Sequence, residues 1–282
     1  MHDGCLATRV REVYFRDMPM SSAGARVPPT LLVGVGCMTA ALLTVELALT
    51  RVFSVTMFYH FAFLAISVAM FGLSASAVFI YVTPRWHPAD RPLAHLRRYA
   101  TLFWLCALLA AVVLLQINVG TEYSGRNLAL MLLIYLLAAI PFFVGGAGVA
   151  VAVSRLHGDI GRVYAADLVG AAAGCLLLIP VLNVLGGGGA ILFAAWLGTV
   201  ARVCFARAEG RATRLAWLPV GVLAAGLAWQ AWSPWLDVRA TKGWTHADII
   251  FSKWNSFSRI AVYDHGHHDW GLSDAYTGPR PD

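Results

Sequence analysis

Residues 164–205 read YAADLVGAAAGCLLLIPVLNVLGGGGAILFAAWLGTVARVCF, and their only charged side chains are Asp167 and Arg202. Two apolar stretches, 164–184 and 190–205, flank the six residues LGGGGA. A membrane-crossing helix needs roughly 20 apolar residues, so the first stretch is long enough and the second nearly so. Consecutive glycines break a helix and reverse the chain cheaply, which predicts a tight hairpin turn between two membrane helices.

Five further stretches of the same kind lie outside this pair, at 30–50, 61–82, 99–119, 128–153 and 215–232. Composition agrees: 59% of the 282 residues are apolar, 13% are charged, and the mean hydropathy is +0.67. Soluble domains carry about 25% charged residues, and a core of this length could not hide so much apolar surface. The expected fold is an all-α polytopic membrane helix bundle of about seven transmembrane helices. A basic tail at 1–29, with no signal-peptide core and expected to be disordered, precedes the helical module at 30–232.

Residues 233–282 change character. ADIIF and RIAVYD read as short strands with WNSFS as a turn between them, and fifty such residues cannot bury a core of their own. They predict the start of a second, β-containing domain that the chain leaves incomplete.

The net charge of +6 is mostly arginine and follows topology rather than nucleic acid. Arginines number four in the N-terminal tail, then one, four, one, two, none and three in the successive loops. That alternation predicts a cytoplasmic N-terminus. Seven crossings would then place the tail outside, unless one short segment is re-entrant. The five cysteines are scattered without a CxxC pair, so neither a disulfide framework nor a zinc site is expected. HGHHDW at 265–270 has no companion cluster and is not expected to hold a metal. FFVGGAGVAVA at 142–152 lacks the third glycine and the strand-to-helix setting of a dinucleotide loop, so helix packing beside Pro141 accounts for it.

Three polar groups stand out within the apolar segments. Glu46 shares a helical face with Thr39, Leu43 and Thr50. A carboxylate within the bilayer usually faces the bundle and finds a partner, with Arg51 and His60 as candidates. His60, Ser67 and Ser74 recur every seven residues, a stripe that Tyr81 continues. Gly72 and Ser76 are a small pair suited to close helix approach. Asp167 lies within about 60° of Gly170 and Gly174 and so should point into a helix contact, with Arg162 or Tyr164 as neutralising partners. Glu46, Asp167, His60, Ser67 and Ser74 together form the expected substrate-binding seam. No catalytic triad, Walker loop or HExxH motif is present.

ELALTRVFSVTMFYHFAFLAISVAMFGLSASAVFIY, IPFFVGGAGVAVAVSR, GRVYAADLVGAAAGCLLLIPVLNVLGG and KWNSFSRIAVYD together resemble bacterial spermidine synthase-like membrane proteins. That resemblance implies a multi-helix membrane module fused to a polyamine-synthase or methyltransferase-like Rossmann domain, in the bacterial inner membrane. The S-adenosyl ligand would belong to that further domain, so no catalytic residue is expected within these 282. The resemblance suggests a module that binds or moves a small cation such as a polyamine. The alternatives are a membrane anchor for an aminopropyl- or methyltransferase, and a scaffold for a partner.

Overall fold

A computed structural model describes residues 27–57, 60–88, 90–117, 124–156, 159–238, 240–241, 244–245 and 249–263. The basic tail up to residue 26 and the HGHHDW stretch lie outside the described residues. Six helices account for the apolar segments: α1 (Pro29–Thr56), α2 (His60–Val82), α3 (Pro92–Leu114), α4 (Gly125–Arg155), α5 (Ile160–Ala208) and α6 (Leu218–Trp232). Each is long and apolar enough to cross a membrane, α6 when its leading 3-10 turn Arg214–Trp217 is included.

The 49-residue α5 is two helices in one. Gly186 has φ 71° and ψ −177°, a conformation open essentially to glycine, and it breaks the helix between residues 185 and 187. The packing partners of α1 reveal the consequence. Gly36 and Ala40 meet Gly170 and Gly174 in ascending order, whereas Val52 and Gly34 meet Gly187 and Phe205 in descending order. The two limbs of α5 therefore run antiparallel along α1, and LGGGGA is the hairpin turn that the glycines predict. With the limbs counted separately, seven helical segments cross the bundle.

Small residues set the spacing. A Cβ on Gly170 would strike the backbone of Gly36, and one on Gly174 would come within 2.5 Å of the Ala40 carbonyl oxygen. Lipid supplies no hydrophobic drive between helices, so this close van der Waals contact is what holds α1 against the first limb. The same device joins α4 to its neighbours. A Cβ on Gly145 would lie 2.6 Å from Leu42 and 2.9 Å from Phe103, and one on Gly146 would lie 2.5 Å from the Ser76 hydroxyl. FFVGGAGVAVA is thus a helix-packing segment within continuous α4. Helix α1 is the centre: 61% of its apolar window is buried, against 17% for the last helix.

The short last segment still reaches across. At about 1.5 Å per residue α6 spans roughly 22 Å, and its leading 3-10 turn adds about 8 Å more. Its start is tied to the end of α5, where Arg202 donates to the Ala216 carbonyl at 3.2 Å and Arg207 lies 5.0 Å above the Trp217 ring. Its end lies at the glycine turn, where Gln230 donates to the Leu185 carbonyl at 3.0 Å.

The bundle consequently has two distinct ends. At one, Val27 N–H donates to Asp159, Arg155 donates to the His87 carbonyl, and Arg97 pairs with Glu209. The loops there carry Arg85, Arg91 and Arg211, and the adjoining helix ends carry Arg97, Arg98, Arg162 and Arg207. At the other end lie Val52, Leu115, the four glycines and the C-terminal segment. Among the described residues no re-entrant segment intervenes: the start of α1 and the end of α6 lie at opposite ends. Beyond α6, β1 (Ala240–Thr241) pairs with β2 (Trp244–Thr245), and β3 (Ile249–Trp254) pairs antiparallel with β4 (Arg259–Tyr263).

Candidate functional site

The two intramembrane carboxylates have different surroundings. Thr39, buried on α1, places its Oγ1 2.6 Å from Asp167 Oδ1 and 3.1 Å from the Val35 carbonyl. One hydroxyl has one proton, so two arrangements are open. An ionised Asp167 accepts it. A protonated Asp167 donates to the hydroxyl, which then passes its own proton to Val35. Either state is satisfied, directly beside the Gly36–Gly170 contact.

Glu46 is half-buried about two helical turns further along α1, towards the glycine turn. Its carboxylate makes no hydrogen bond or ion pair among the described residues; only its backbone carbonyl is engaged, by the Thr50 hydroxyl at 2.8 Å.

The expected cation partners pair elsewhere or not at all. Arg162 binds Asp159 at 3.1 Å, one turn back, and not Asp167. Tyr164 is exposed and has no hydrogen-bond partner among the described residues. Arg51 has no acidic partner among the described residues, Glu46 included. Geometry explains both corrections: Arg162 and Asp167, like Glu46 and Arg51, are five positions apart, about 140° around a helix. Side chains meet at separations of three or four.

The α2 stripe is also corrected. Ser67 and Ser74 are exposed and Tyr81 is 70% exposed, so this face looks outward. Ser67 returns its hydroxyl to the Phe63 carbonyl at 3.2 Å, which satisfies it without any partner helix. The side chain of His60 lies outside the described residues. The inward stripe of α2 is Ala65, Ala69, Gly72, Ser76 and Ile80, because only small side chains let α2 approach α4. The structure thus brings Asp167 to Thr39, leaves Glu46 on the same helix as Thr39, and turns Ser67 and Ser74 away from both.

A second polar centre was not evident from the sequence. Asp237, five residues after α6, accepts from Arg259 at 2.7 Å, Trp254 Nε1 at 3.0 Å, Ser252 at 3.2 Å and the Val238 N–H at 2.8 Å. Arg259 also donates to Ser252 at 2.9 Å, and its side chain is only 2% exposed. This cluster seats the β3–β4 hairpin on the glycine turn. The Trp254 ring covers Gly186 and Gly187, where a Cβ would come within 2.9 and 2.8 Å of it, and Leu236 covers Gly188. Gln230, fully buried, donates to Leu185 and accepts from the Leu236 N–H at 3.0 Å. The four glycines therefore do two things: Gly186 reverses the chain, and the bare backbone of Gly187 and Gly188 forms a seat. The readable signals were an aspartate directly after a membrane segment, in WLDV, and an arginine opening the strand RIAVY.

Among the described residues no group of three or more His, Cys, Asp or Glu is placed to hold a metal. The chain matches no family model, no curated protein and no solved structure.

Proposed function

We propose that this chain is the membrane module of a spermidine synthase-like protein, and that it seats and orients a C-terminal β-containing domain at the bilayer surface. The observation that carries this reading is the Asp237–Arg259–Trp254 cluster locked onto the glycine turn. A flexible tether needs no buried ion pair and no seat of bare backbone, whereas a domain held in fixed orientation needs both. On this reading aminopropyl or methyl transfer, and the S-adenosyl ligand with it, would belong to a Rossmann domain that follows the strand pair.

Loop arginines favour the cytoplasm, so the arginine-rich end is the cytoplasmic side of the bacterial inner membrane, the N-terminus included. The strand pair then faces outward, away from a donor made in the cytoplasm. That favours handling of an amine over transfer to it. The test is Trp254→Ala in the full chain. Protease should then cut the 233–263 segment at least ten times faster while the helices remain monodisperse in detergent. An unchanged cleavage rate would overturn the reading.

A second reading rests on Glu46. Among the described residues the Glu46 carboxylate has no partner, and a polyamine amine group is a cation that fits it. Thermal unfolding of the wild type should shift upward with spermidine, and Glu46→Gln should abolish that shift while leaving basal stability nearly intact. Asp167→Asn, already satisfied by Thr39, should retain it. A wild type whose melting ignores spermidine at every concentration removes this reading.

A further inference from the structure

The arginine-rich end carries an open groove of about 700 Å³, lined by Arg85, Arg91, Arg97, Arg98, His95 and Thr101 together with Trp86 and Leu102. Among the described residues its charge is not balanced. Arg91 has Asp90 at 3.5 Å and Arg97 has Glu209 at 2.7 Å, but Arg85 and Arg98 have no acidic partner among the described residues. His95 Nε2 is shielded from solvent without a hydrogen-bond partner.

The loop that presents Arg85 and Arg91, ahead of the first turns of α3 that carry His95, Arg97, Arg98 and Thr101, is held firmly. His87 is buried, with Nδ1 2.9 Å from the Thr83 carbonyl and Nε2 2.5 Å from the Tyr99 hydroxyl. Arg155 of α4 donates to the His87 carbonyl at 3.2 Å, and Phe79 packs edge-on against the rings of both Trp86 and His87. Topology alone requires arginines in this loop. It does not require them to line one groove with the first turns of α3, beside a loop pinned to three helices.

We infer that this groove binds a phosphate-bearing anion at the level of the lipid headgroups. Guanidinium groups match phosphate oxygens in paired hydrogen bonds. The volume suits a small ligand. The groove opens where α3 enters the membrane at Pro92, with Trp86 67% exposed as interfacial tryptophans are. Basic residues clustered at the end of a membrane helix are suited to the phosphates of anionic lipids. The same chemistry would also admit a free phosphate.

The experiment uses the full chain in nanodiscs and in neutral detergent, titrated with phosphatidylglycerol, phosphatidylcholine or inorganic phosphate and followed by thermal unfolding and native mass spectrometry. Retention of phosphatidylglycerol over phosphatidylcholine, displaced by inorganic phosphate, supports a headgroup site. Equal response to inorganic phosphate without lipid supports a free-phosphate site. Arg85→Gln with Arg98→Gln should weaken binding about thirtyfold, from about 1 kcal/mol per interfacial arginine. Arg85→Lys with Arg98→Lys should recover part of it, which keeps the test valid if the glutamine variant unfolds. Arg162→Gln, which removes a charge from the same end but outside the groove, should leave binding unchanged. Response to neither phosphate nor phosphatidylglycerol overturns the inference. So does an equal loss in Arg162→Gln, which would reduce the site to general surface charge.

Discussion

The two ends of the bundle treat charge in opposite ways. At the glycine turn one carboxylate, Asp237, is matched to one guanidinium, Arg259, and the spare oxygens and protons are taken up by Trp254, Ser252 and the Val238 N–H. At the arginine-rich end cations exceed their acids among the described residues, and Arg85 and Arg98 have no acidic partner there. The first cluster satisfies itself and holds the fold; the second is where we propose that an anion binds.

That contrast breaks most visibly at Asp237. Asp237→Ala would leave the Arg259 side chain, 2% exposed, without its counter-ion, and losing a part-buried hydrogen bond between charged groups costs about 1.5–3 kcal/mol. The expected outcome is an unseated β hairpin, read as loss of Trp254 burial by fluorescence quenching and faster proteolysis of the tail, with the helices still assembled. Gly187→Val should act on the same seat by crowding rather than by charge. Its Cβ would meet Val52 and the Trp254 ring at 2.8 Å, an overpacking cost of about 1–3 kcal/mol, measurable in the same assay.

At the centre of the membrane the effect should be smaller. Thr39→Val removes the hydroxyl that engages Asp167, a loss of about 1–2 kcal/mol in detergent unfolding. Thr39→Ser should restore most of it. The smallest change belongs to the open end. Arg91→Gln breaks only an ion pair whose side chains are 77% and 67% exposed, worth at most about 1 kcal/mol. An Arg91 variant as destabilising as Asp237→Ala would erase the contrast between the two ends.

How much of this was legible follows from how far each contact reaches along the chain. Apolar runs and the glycine turn are local signals, so the helices and the reversal at Gly186 could be read from the sequence. Helical phase was read less well. Spacing by seven picked out His60, Ser67 and Ser74 as a stripe, but spacing cannot say which face turns inward; the small residues Ala65, Ala69, Gly72 and Ser76 decide that. The pairings Glu46–Arg51 and Arg162–Asp167 failed because five positions put two side chains on different faces. The seat at Gly187 and Gly188 was invisible because its other half, Leu236 and Trp254, lies about fifty residues away or more. A glycine needed for chain reversal looks the same in sequence as one needed to clear room for a tryptophan.

The central claim is that an odd number of crossings puts the arginine-rich loops and the seated hairpin on opposite sides of the membrane. Single cysteines at Phe257 in the β3–β4 turn and at Ala212 between α5 and α6, both exposed, test it most directly in a background lacking the native cysteines. Intact cells are treated with a membrane-impermeant thiol reagent, then permeabilised and treated again. Phe257→Cys should label in intact cells and Ala212→Cys only after permeabilisation. The reverse pattern would keep the opposite faces but overturn the assignment of the arginine-rich end to the cytoplasm. Labelling of both positions from the same side would contradict the seven-crossing fold itself.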